Sequence, residues 1–72
     1  MNKKLLNAKM AEYGDNGNLL SAAIGITSTT FSAKKNEKNG SEFTQSEIMA
    51  IKTRYNLTAE QVDAIFFDKK VP

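Results

Sequence analysis

Any chemistry in this 72-residue chain must be done without histidine or cysteine, since the sequence contains neither. Their absence removes the imidazole base, the thiolate nucleophile, the usual zinc ligand sets and any disulfide framework. Carboxylates and lysines remain. Glu42, Glu47, Glu60 and Asp63 fall at or near the starts of helical patterns, where a carboxylate caps free amides and complements the helix dipole. None of them has a base or a metal-ligand pattern beside it. The expectation is therefore a non-enzyme, with no catalytic residue, cofactor, metal or small-molecule substrate. The lysines are grouped: Lys34, Lys35 and Lys38 in mid-chain, Lys3, Lys4 and Lys9 near the start, and Lys69 and Lys70 at the end. Ammonium groups hold phosphates without reading base sequence. The two terminal groups read as solubility, and the central one as either a phosphate contact or a solvated face. With 10 basic against 8 acidic residues, the net charge of +2 permits contact with nucleic acid and does not demand it.

Seventy-two residues allow one domain, read here as residues 1–72. The longest apolar runs, Ala22 to Ile24 and Ala64 to Phe67, fall far short of a membrane span, and the start of the chain lacks the apolar stretch of a signal peptide. A cytoplasmic protein is expected.

The elements that must carry these side chains are helices. Leu5, Leu6, Lys9, Met10 and Tyr13 recur at helical spacing up to Gly14. Three later starts share one chemistry, a threonine cap with an apolar residue just before it and another four residues after it. These are Ile26-Thr27 with Phe31, Phe43-Thr44 with Ile48, and Leu57-Thr58 with Val62. Glu47 and Gln61 complete capping boxes at the second and third. A weaker start is capped by Asp15 or Asn16. The pattern predicts an all-α chain of five helices over 3–13, 17–24, 28–36, 45–55 and 59–68, with one exposed loop at 37–41. The expected core is Leu5, Leu6, Met10, Leu20, Ala23, Ile24, Ile26, Phe31, Ile48, Ile51, Leu57, Val62, Ile65 and Phe66. Phe66 and Phe67 point about 100° apart on a helix, which leaves Phe67 or Tyr55 as a candidate for a self or partner interface.

Residues 17–36 have the makings of a helix-turn-helix. Ser21 or Ala22 is the small residue that lets the second helix cross closely. Gly25 tolerates positive φ at the turn, and Ile24, Ile26 and Phe31 supply the apolar flanks. The run Ser21-Ala22-Ala23-Ile24-Gly25-Ile26-Thr27 resembles the turn of the Cro/CI (XRE-like) superfamily of phage and bacterial regulators. Thr29-Thr30-Phe31-Ser32 is similar to that family's recognition-helix start. Phe43-Thr44-Gln45-Ser46-Glu47-Ile48 resembles a block common in very small Cro-like phage proteins. The resemblance implies a compact five-helix domain with a central helix-turn-helix formed by helices 2 and 3.

Carried onto this chain, the family's direct contacts fall at Ser28, Thr29, Ser32, Ala33 and Asn36, edged by Lys34 and Lys35. Two departures stand out. Gly17 occupies the place of a phosphate-binding glutamine, and Lys34 and Lys35 take the positions of the apolar residue that anchors the recognition helix. Base reading normally relies on arginine, lysine, asparagine or glutamine at these positions, bidentate pairs contributing roughly 1–3 kcal/mol of discrimination each. Ser28, Thr29, Ser32 and Ala33 cannot make them, whereas small hydroxyl side chains suit close docking on another protein. The resemblance thus implies an antirepressor of a phage lysis-lysogeny switch, a modulator of repression in the bacterial host cell. It would bind a CI-type repressor and block that protein's DNA-binding domain, with at most weak DNA binding of its own. The alternative is a Cro-like, sequence-specific DNA-binding transcriptional repressor.

Overall fold

Each helix begins on a side chain that closes its own first turn. The computed structural model describes residues 1–67, and among them it has five α-helices and no strand. Asn2 caps α1 (Lys3–Glu12), its side-chain oxygen accepting from the Leu5 N–H, and Asn16 caps α2 (Gly17–Ile24) through the Leu19 N–H. Thr27, Thr44 and Thr58 cap α3 (Ser28–Lys35), α4 (Gln45–Arg54) and α5 (Ala59–Phe66). Both expected capping boxes are present, with Glu47 and Gln61 reaching back to the backbone N–H of Thr44 and Thr58 at 2.8 Å. A short 3-10 turn, Lys38–Gly40, lies in the expected loop. The helices end one residue before the expected ends at Tyr13, Asn36 and Tyr55, which are C-caps. The expected end of the fifth helix, Asp68, lies outside the described residues, as do Lys69 and Lys70.

α2 packs against both α3 and α4, while α5 packs against α4 and α1. The N–H of Asn2 donates to the carbonyl of Ile65 at 2.7 Å, tying the start of α1 to α5. Leu6, Leu20, Phe31, Ile51, Tyr55 and Ile65 are fully buried at the centre. Phe43 joins them, with its ring centroid 5.7 Å from Phe31 and 5.7 Å from Phe66.

The core differs from expectation in four ways, the first being that Phe43 belongs to it. Leu5 is 42% exposed and Ala23 is exposed, because Leu6 and Met10, one turn apart, take the buried stripe of α1, and Leu20 and Ser21 take that of α2. Ile24, Ile26 and Phe66 are only partly buried and flank the core. Tyr55, expected at an interface, is instead 1% exposed. Its hydroxyl donates to Asp15 at 2.6 Å, its carbonyl accepts from the Tyr13 hydroxyl at 2.9 Å, and the two tyrosine rings lie 5.0 Å apart.

That contact is part of a clasp joining the α1–α2 turn to the end of α4. Arg54 grips the Asp15 carboxylate with Nε and Nη2 at 2.7 and 2.8 Å. The Arg54 hydrogen bonds first, and the Tyr55 hydroxyl second, hold the Asp15 pKa at about 2, below its ordinary value of 3.8. Burial, followed by the neighbouring Asp15, pushes the Tyr55 hydroxyl up. Asp15 is thus occupied by the clasp, and the cap of α2 is Asn16.

Candidate functional site

The outward side of α3 is fixed by the inward side. Phe31 is 2% exposed and faces the core, so Ser28, Thr29, Ser32 and Asn36 are turned to solvent, with Ala33 half-buried beside them. α3 enters from α2 through Gly25, whose φ of 80° is in the left-handed region that glycine adopts at no steric cost. Ser21 is the small residue of α2 that is buried; it is 3% exposed and its hydroxyl donates to the Asn18 carbonyl at 3.0 Å. Ala22, the other small residue considered, is exposed.

Ser28, Thr29, Ser32, Ala33 and Asn36 line one shallow concavity together with Lys38. These are the five positions expected from the family resemblance, brought to one surface. The two lysines expected to edge them face elsewhere. Lys34 Nζ donates to both carboxylate oxygens of Glu47, at 2.7 and 2.9 Å, and the two side chains are only 16% and 12% exposed. Burial opposes ionisation of Glu47, but the Lys34 ammonium and the Thr44 N–H outweigh it and hold the carboxyl below its ordinary value. Lys35 Nζ donates to Asn7 Oδ1 at 3.2 Å and lies 5.6 Å from the centroid of the Phe31 ring. Both lysines therefore anchor the C-terminal end of α3, the task an apolar residue performs in the family pattern. Asn36 is also engaged, its Oδ1 accepting from Lys3 Nζ at 2.9 Å and its Nδ2 donating to the Ser32 carbonyl at 2.9 Å.

With Lys34 and Lys35 held, the face has little positive charge. Between Asp15 and Lys34 no residue is charged, in a chain where 25% of residues are. The neutral run covers the whole of α2 and all of α3 up to its last turn. A Cβ added at Gly17 would sit 3.7 Å from the Phe31 ring, an ordinary contact. Packing therefore does not require a glycine at the start of α2.

Sequence reasoning passed over a second surface. α2 and α4 border a groove lined by Ala23, Ile24, Ser46, Met49, Ala50 and Thr53, with Arg54 at one end. Met49 is 56% exposed, and Leu19, one turn before Ala23 on α2, is 50% exposed. Ser46, Met49, Ala50 and Thr53 follow the i, i+3, i+4, i+7 spacing of a single helix face, which is the signal that could have found the stripe. Phe67, expected to be exposed, is 56% exposed. Among the described residues, no helix is long and apolar enough to cross a membrane. No protein-family model, curated protein or solved structure matches the chain.

Proposed function

We propose that the chain is a cytoplasmic helix-turn-helix regulator of the Cro/CI type, with α2 and α3 forming the motif about Gly25, and that it acts as an antirepressor. The concavity on α3 docks on the DNA-binding domain of a CI-type repressor and prevents it from engaging its operator. One observation carries this reading: the outward side of α3 presents hydroxyls, a methyl group and the Asn36 amide, which is already bonded to Lys3 and Ser32, while Lys34 and Lys35 are turned away into contacts with Glu47, Asn7 and Phe31. A DNA-reading helix needs bidentate donors toward the bases and cations toward the phosphates. Among the described residues, Lys38 is the one lysine lining the concavity. Small side chains lose little rotamer freedom on burial, so a close protein contact costs them little.

Gel-shift titrations test it. The chain alone should bind DNA weakly, with little sequence preference, and lose it as salt rises. Added to a CI-type repressor on its operator, it should release the DNA, and Ala33→Arg should abolish that release. Nanomolar operator binding by the chain alone at physiological salt, in the range of specific binders, would establish the Cro-like alternative instead.

A further inference from the structure

The chain holds two Asn-Gly pairs, Asn16-Gly17 and Asn39-Gly40, and the fold treats them in opposite ways. Asparagine is thermally labile because the backbone nitrogen of the next residue can attack its side-chain amide carbon; a following glycine, with no Cβ, leaves that approach open. Asn16 is withheld from this reaction. Its Oδ1 accepts from the Leu19 N–H at 2.9 Å and its carbonyl accepts from the Leu20 N–H at 2.9 Å, so swinging the 16–17 peptide toward the side chain undoes the first turn of α2. Asn39 has no such hold. It is exposed in the 3-10 turn at φ 54° and ψ 34°, between Glu37 at φ 54° and Gly40 at φ 77°. Swinging the 39–40 peptide gives up one long hydrogen bond, from the Gly40 N–H to the Glu37 carbonyl at 3.3 Å. It also relieves a left-handed backbone that a residue with a Cβ adopts at a cost.

We infer that Asn39-Gly40 is a site of spontaneous covalent modification, converting to aspartate and isoaspartate in the folded protein while Asn16-Gly17 is protected. The Gly40 backbone nitrogen gives its proton to solvent and bonds to Asn39 Cγ; the side-chain nitrogen takes up a proton and leaves as ammonia, closing a cyclic imide. Water then opens the ring. Cleavage of the bond to Cγ yields aspartate, and cleavage of the bond to the backbone carbonyl carbon yields isoaspartate, with the main chain rerouted through the side chain. Water is the one co-reactant, and nothing is oxidised or reduced. The inference is independent of the antirepressor reading. Either product places a carboxylate next to Lys38, the one lysine lining the α3 concavity among the described residues, and takes one unit from the net charge of +2. Isoaspartate also lengthens the main chain by a methylene in the turn that follows α3.

Ageing the full chain at physiological temperature and pH, then cleaving after lysine and sequencing the peptides by mass spectrometry, tests this. Asn16 and Asn39 fall in separate peptides, 10–34 and 39–52. Releasing an N-cap of ordinary strength lowers the reactive population about fivefold, so Asn39 should convert at least that much faster than Asn16. Treatment with isoaspartyl methyltransferase should label peptide 39–52. The rate at Asn39 should rise with pH, since the Gly40 amide must lose its proton, and Asn39→Ser should leave peptide 39–52 unlabelled. The same chain aged in concentrated urea isolates the contribution of the fold: there the two pairs should convert at similar rates. If Asn39 keeps its amide in the folded chain while losing it in urea, the turn protects it and the inference is wrong. Conversion of Asn16 as fast as Asn39 in the folded chain overturns it too. A preference for Asn39 that persists undiminished in urea would trace to neighbouring residues and not to the fold, and the inference would fall.

Discussion

Replacing Asp15 by asparagine should expose how much of the fold depends on one carboxylate. The side chain is 5% exposed and accepts three hydrogen bonds, two from Arg54 and one from Tyr55. The amide would keep the shape of the carboxylate and lose its charge. A carboxyl held at about 2 instead of 3.8 corresponds to roughly 2 kcal/mol at neutral pH. Solvent screens the 38%-exposed Arg54 side of the pair, which lowers the expected contribution to about 1–2 kcal/mol. For a domain of this size that is a fall in Tm of about 5–15 °C at pH 7. The sign of the pH dependence follows from the direction of the shift. Because folding depresses this pKa, the stabilisation is fully present above the unfolded carboxyl value near 4 and is lost as pH falls through about 2. Thermal melts of parent and Asp15→Asn at pH 7, 4 and 2 should thus show a wide gap that narrows toward the acid end. The clasp reading is falsified if the two proteins melt within about 2 °C of each other at pH 7, or if the gap is as wide at pH 2 as at pH 7.

Three further outcomes are expected. Gly25→Ala should cost about 1–2 kcal/mol in urea unfolding, since the residue sits at φ 80° with nothing within 4 Å of an added Cβ; the penalty is backbone strain alone. Gly25→Asn should recover part of it. Lys34→Ala should destabilise by about 1–2 kcal/mol because it leaves a largely buried Glu47 carboxylate short of its cation, whereas exposed Lys38→Ala should be near neutral, a contrast that chemical denaturation of the two variants would read directly. Thr44→Ala and Thr58→Ala should each cost about 1 kcal/mol by the same assay, with the effects adding because the two capping boxes do not share a side chain.

What could be read from the sequence was local. The threonine caps, their boxes and the turn at Gly25 depend on residues within four positions of one another, and all of them stand where the spacing puts them. What could not be read was long-range. The burial of Tyr55 depends on Asp15, forty positions earlier, and on Tyr13 beside it. The fate of Lys34 depends on Glu47, on the next helix, so a side chain that looks like a phosphate binder in sequence is a strut in the fold. Leu5 misleads for a different reason: the buried stripe of α1 is narrow, and Leu6 takes the inward position. That Ser28, Thr29, Ser32, Ala33 and Asn36 share the outward side of α3 was legible because the burial of Phe31 sets the rotation of that helix. The α2–α4 groove was not, because Ala23 and Met49 line one surface only once α2 lies against α4.

The tyrosine pair makes the chain its own folding gauge. There is no tryptophan, and Tyr13 and Tyr55 are its two tyrosines. Their rings lie 5.0 Å apart, and the Tyr55 hydroxyl donates to a carboxylate. Tyrosine absorbance and emission therefore originate entirely at the junction of α1 with α4. A label-free optical signal should follow the closing of that seam as the chain folds. Both rings are distinct from the residues of the α3 concavity and the α2–α4 groove, so the same signal can certify that a binding-defective variant is still properly assembled.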